Sequence, residues 1–184
     1  MSGVAASPAH LARRFAGASW PRGPGPADEA WARHWLVPGE EVLWARMSGP
    51  DRRHAVGVAR RTVAQLGGAG GAVGGAGADR PVLAAALLHD VGKVAAGLGT
   101  LRRVVATLLG RGADRERALA WSNAGGFRRR VGLYLRHGEL GGDMLALAGS
   151  DPLTVAWARE HHLPAERWTV DPTVGAALAA ADDE

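Results

Sequence analysis

From Ala27 onward, apolar residues recur at helical spacing along nearly the whole chain, and no stretch sustains period-two alternation with β-branched residues. In Asp51–Leu66, the positions Ala55, Val58, Ala59, Thr62, Val63 and Leu66 form one stripe, the signature of a helix with a single buried face. Pro81–Val91 (PVLAAALLHDV) is apolar nearly all round, which predicts a central helix. Helices are also predicted over Ala27–Leu36, with Trp31 and Trp35 one turn apart, and over Pro38–Met47. Thr100–Leu109, Ala113–Trp121, Phe127–His137 and Glu139–Ala148 follow. Two late helices open on Asp151-Pro152 and Asp171-Pro172, where Asp caps the free backbone N–H groups and Pro fits the first turn. The pattern predicts an all-α fold, a single compact helical bundle.

Two segments break the pattern. Residues 1–26, with Pro8, Pro21, Pro24 and Pro26, read as a weakly ordered tail with room for a short helix from His10 to Phe15. Residues 27–47 read as a helical extension at the start of a domain covering 27–184. Gly67–Ala78 (GGAGGAVGGAGA) reads as a flexible loop, and with no Lys-Ser or Lys-Thr after it, it is not a phosphate loop.

The chain has 184 residues, 47% of them hydrophobic, enough for one sizeable core. Absence of Cys excludes disulfides, thiol catalysis and thiolate zinc sites. No apolar run approaches the roughly 18 to 20 residues of a membrane span, and Arg13-Arg14 precede no long apolar stretch, so a cytoplasmic protein without a membrane partner is expected. The net charge is +4, from 21 Arg and a single Lys, Lys93, against 18 acidic residues. Richness in Arg, Ala and Gly resembles the coding bias of a GC-rich bacterial genome. Solvated helix faces account for most Arg pairs, such as Arg52-Arg53 and Arg102-Arg103. Nucleic-acid binding is the minority reading, because no aromatic residues interleave as a stacking surface.

Seven His remain, and imidazole with carboxylate is the ligand set for Mn, Fe, Zn, Ni or Mg when thiols are absent. If the Pro81 helix runs past Gly92, then Ala86, His89, Asp90 and Lys93 share one face. On the last helix Asp182 shares a stripe with Val174, Leu178 and Ala181, whereas Asp183 points away. A carboxylate on an inward face is costly unless paired or bound to metal. His54 stands at the edge of the Asp51 stripe, so three helices each direct hard ligands inward. His10 and His34 have no partners in this pattern and read as structural or exposed.

His54, then His89-Asp90 thirty-five positions on, then Asp182, resembles the HD-domain metal-dependent phosphohydrolase superfamily. RRHAVGVARRTVAQL is similar to its first-His helix, AALLHDVGK to its HD helix, and ALAAADDE to its terminal helix. LRHGELGGDMLAL, with His137, and WAREHHLP, with His161 and His162, resemble elements of the HDIG and HD-GYP branch. No GYP follows, and Gly138 stands where that branch has Pro. The resemblance implies an HD-domain enzyme that hydrolyses a nucleotide or another small phosphoester. His54, His89, Asp90 and Asp182 would hold one divalent ion (Mn, Fe, Mg, Co, Ni or Zn), and Asp90 with His137, His161 and His162 would hold a second. Adjacent helix positions diverge by about 100°, which leaves open whether His161 or His162 binds. Asp90 and Lys93 are the expected catalytic residues, Lys93 as a cation beside the phosphoryl group. The competing reading is an HD-fold module that senses a nucleotide without turnover.

Overall fold

A computed structural model describes residues 22–67, 78–110 and 112–183. The predicted helix at His10–Phe15, nearly all of the predicted tail and most of the glycine-rich segment lie outside the described residues. Within them the chain is all-α, with no β-strand.

The elements are α1 (Pro26–His34), α2 (Pro38–Arg46), α3 (Gly49–Gln65), α4 (Arg80–Leu88), α5 (Lys93–Ala96), α6 (Thr100–Leu109), α7 (Arg115–Ser122), α8 (Gly126–Leu135), α9 (His137–Leu147), α10 (Pro152–Glu160) and α11 (Pro172–Asp183). Their starts follow local chemistry. Ser48, Asp79, Asp114 and Asp151 each accept a backbone N–H of the first turn of α3, α4, α7 and α10. Ser48 therefore starts α3 two residues ahead of the predicted Asp51.

α4 is the central element, as its composition predicts. Every residue from Val82 to Leu88 is buried, and α3 and α10 pack against it. Each fully buried Leu contributes about 1.5–3 kcal/mol, and Leu83, Leu87 and Leu88 are all 0% exposed. The predicted extension, α1 and α2, shares this core through Ala32, Leu36, Leu43 and Trp44. Trp44 is buried and donates Nε1–H to Glu29 at 2.9 Å, while Trp31 and Trp35 meet edge to face at its margin. α11 packs on α3, which brings the end of the chain beside His54. A second, smaller core of Ala96, Leu98, Ala106 and Val131 lies under α6, α7 and α8. No helix among the described residues is long and apolar enough to cross a membrane.

One close approach positions the site. A Cβ placed on Gly92 would lie 1.9 Å from the carbonyl oxygen of His137 and 2.7 Å from the Gly141 nitrogen. Only glycine lets the turn after α4 rest on the start of α9. Gly92→Ala is expected to lower stability by about 3 kcal/mol, the upper range for overpacking a tight contact. Thermal denaturation followed by circular dichroism measures this; an unchanged midpoint would mean that the two segments part cheaply.

Candidate metal centre

α4 does not run to Val91 as predicted. It ends at Leu88, and the chain continues in tight turns: Val91 N–H donates to Leu88 O and Lys93 N–H to Asp90 O, both at 3.0 Å. These turns bring Gly92 against the start of α9. They preserve the expected grouping, since His89 Nδ1 bonds the Ala86 carbonyl at 3.0 Å and Lys93 Nζ donates to Asp90 Oδ2. His89 and Asp90 are buried at the end of the apolar helix.

The chain around His137 also departs from the expected helices. One helix was predicted over Phe127–His137 and another from Glu139. Instead α8 ends at Leu135, Arg136 adopts φ −100° and ψ 13°, and His137 opens α9. The break turns the buried His137 ring toward Asp90. Gly138, the position that departs from the HDIG pattern, lies against α10, where a Cβ would be 3.0 Å from Ala158 O.

All seven predicted ligands meet in two adjoining groups. His54, His89 and Asp182 have ligand atoms within 4.8 Å of one another, as do Asp90, His137, His161 and His162. Asp90 faces both groups. Its Oδ2 is 3.4 Å from His89 Nε2, and its Oδ1 is 3.3 Å from His137 Nε2 and 3.8 Å from His161 Nε2. His161 and His162 both have ligand atoms in the Asp90 group, at the point where α10 ends after Glu160. Asp182 bonds His54 Nε2 at 2.8 Å, and Arg61 holds its neighbour by donating to Ala181 O at 2.8 Å. Asp183 is exposed, as its place off the stripe predicts. His34 is exposed at the end of α1 and takes no part; His10 lies outside the described residues.

The imidazoles are oriented as ligands. The Nδ1 atoms of His89, His137 and His161 lie 3.0, 2.7 and 3.0 Å from the carbonyls of Ala86, Tyr134 and Ala158. A carbonyl only accepts, so each Nδ1 carries a proton and each Nε2 points inward. The Nε2 atoms of His89 and His161 are buried without a hydrogen-bond partner. Unpaired buried nitrogens aimed at shared carboxylates are what a cation would satisfy, and backbone carbonyls behind the rings are the usual way of fixing ligating His.

The charges are strongly coupled. Burial works to lower the His89 pKa, but Asp90 and Asp182 outweigh it and raise it to about 9. Burial pushes His162 down to about 2, helped by His161 and His137, so this ring is neutral, and its Nε2 lies 3.0 Å from His137 Nε2. Burial opposes ionisation of Asp90, and the charges of Lys93 and His89 overcome it, holding the carboxyl well below the usual range. Asp182 is likewise lowered against its burial by His89 and His54. A cleft lined by His89, Trp157, His161, His162 and Asp182 reaches the site from the α3, α10 and α11 side.

Three groups near the centre were not predicted. Arg103, half of a pair read as a solvated face, is mostly buried; it donates to Asp51 Oδ1 at 2.5 Å and to Leu98 O at 2.8 Å. The Tyr134 ring lies 5.7 Å from that of His137. Asp51, one turn before His54, was the available signal. Elsewhere, Glu40 is fully buried and accepts the Val37 N–H at 2.9 Å.

No family model, curated protein or solved structure matches the chain.

Proposed function

We propose that the protein is a metal-dependent phosphohydrolase acting on a nucleotide or another small phosphoester. The observation that carries this reading is the Asp90 carboxylate set between two groups of imidazoles, with a lysine on one of its oxygens. His54, His89 and Asp182 would hold one ion, His137, His161 and His162 the other, and Asp90 would be shared. Five imidazoles favour Mn, Fe, Co, Ni or Zn over Mg, which prefers all-oxygen sites. Two such ions supply Lewis-acid polarisation of a phosphoryl oxygen and acidify a water.

The protein's own groups divide the remaining work. Lys93 brings a buried ammonium to the same carboxylate and offers a donor to a phosphoryl oxygen as charge develops there. Arg103 occupies Asp51, which keeps that carboxylate from drawing Lys93 away. The cleft that reaches His89, His161, His162 and Asp182 is where a small substrate would approach the centre.

Metal analysis of protein saturated with Mn, Co or Zn is expected to give two ions per chain. His54→Ala is expected to give one, because the Asp90 group stays intact. No more than one ion in the wild type would overturn the shared-carboxylate reading. A panel of nucleotides and simple phosphoesters, assayed with each loaded form, tests the activity. Two bound ions with no hydrolysis of any member would favour the sensing module over the enzyme.

A further inference from the structure

Charge is unevenly distributed along the chain. Residues 99–136 hold nine Arg and two acidic residues, a net of +7, leaving thirteen basic against sixteen acidic residues elsewhere, a net of −3. The segment that builds α6, α7 and α8 thus carries the positive excess of the sequence, with Arg103 paired to Asp51 and Arg115 and Arg136 to Glu139 outside it.

The same lobe exposes apolar side chains. α6 packs principally on α8 and leaves Val104, Val105, Leu108 and Leu109 exposed by 38, 41, 54 and 52%. These positions fall at i, i+1, i+4 and i+5, so they form one face. Phe127, at the start of α8, is 41% exposed. Arg102 stands one turn before Val105, and Arg128 and Arg129 follow Phe127; all three are exposed, no ion pair is seen for them among the described residues, and Arg128 lies over the Trp121 ring at 5.7 Å.

We propose that α6 rests on an anionic phospholipid surface, with its Val and Leu side chains in the headgroup–acyl boundary and the flanking Arg on lipid phosphates. An apolar face edged by cations is the pattern of a helix that lies in the bilayer interface. Guanidinium groups match phosphate oxygens two at a time. Nucleic acid would satisfy the Arg but leave the aliphatic face in water, since it is gripped by aromatic stacking. A second copy of the chain would bring two lobes of like charge together. A helix ridge with one neighbour behind it offers no groove for a protein segment, whereas a bilayer needs no matching shape. The expectation of no membrane partner rested on the absence of a spanning segment; a surface helix is a different case, and α6 has only 10 residues. The lobe carries Arg103 and Tyr134, and none of its residues lines the cleft. The proposal is independent of the hydrolase reading.

Co-sedimentation of the full chain with vesicles tests it. With phosphatidylcholine vesicles containing about one-third phosphatidylglycerol, the wild type is expected to pellet, and with pure phosphatidylcholine binding is expected to fall by about tenfold or more. Val105→Asp with Leu108→Asp, and separately Arg128→Gln with Arg129→Gln, are each expected to lower binding to anionic vesicles by about tenfold. Circular dichroism checks the fold, and Val105→Ser with Leu108→Ser carries the test if the aspartates disturb it. Absence of wild-type binding to anionic vesicles overturns the proposal. So does binding that survives loss of the apolar face, which would be charge attraction alone. Displacement of the vesicles by single-stranded RNA that still binds the aspartate variant overturns it in favour of nucleic acid.

Discussion

Asp90→Asn is expected to abolish hydrolysis of every phosphoester the wild type turns over, by about a thousandfold or more, and to empty both halves of the metal centre. Replacing outer partners of metal ligands typically costs about 10- to 100-fold in affinity, and Asp90 is no outer partner: its two oxygens face the two imidazole groups. Removing the charge leaves His89 and Lys93 buried without the carboxylate that both contact. Asn preserves the shape of the side chain, so the fold is expected to survive with reduced stability. Asp90→Ala is the harsher test, because stripping one partner from a buried pair costs about 3–5 kcal/mol. Metal content, far-ultraviolet circular dichroism and rates measured on the same sample separate the outcomes. A folded Asp90→Asn protein that keeps both ions and its activity would sink the assignment of the site.

Lys93→Arg is expected to keep two ions per chain and lose about 100-fold in turnover, the range for removing one donor to a developing negative charge. An ammonium is compact and can turn its donors from Asp90 to a phosphoryl oxygen; a guanidinium is longer, planar and fixed in its donor directions. Space on this side is already taken, since Arg103 fills the region between Asp51 and Leu98. The chain has 21 Arg and one Lys, and that Lys contacts the carboxylate shared by the two groups. Metal content equal to wild type together with a large fall in kcat identifies Lys93 as catalytic. An unchanged kcat would reduce it to a charge partner of Asp90.

Much of this centre was legible in the sequence because its ligands sit on stripes. Asp182 lies in line with Val174, Leu178 and Ala181, and those residues are buried on α11. His54 stands at the edge of the α3 stripe and meets Asp182 there. What was not legible depends on contacts between distant segments. The end of α4 at Leu88 and the break at Arg136 lie on either side of a long-range contact, the turn at Gly92 resting on the His137 carbonyl, which no local pattern announces. Arg103 looks like Arg102 in the sequence, yet one is paired with Asp51 and the other is exposed. Adjacent Arg residues on a helix point about 100° apart, and the packing of α6 on α8 decides which turns inward. His161 and His162, which adjacent helix positions would set apart, both bring ligand atoms to the Asp90 group at the end of α10.

His54 and Asp182 are 128 positions apart in the chain, whereas His137 and His162 are separated by 25. Loop closure costs more for the wider span, and contacts between distant segments form later in folding than local ones. The group around Asp90 is complete once α4, α9 and α10 have met; the group around His54 must wait for α11 to dock on α3. An ion present during refolding would therefore meet the two halves in order, the His137 half first. Metal uptake during refolding should show two kinetic phases, the slower one keeping pace with the docking of the last helix.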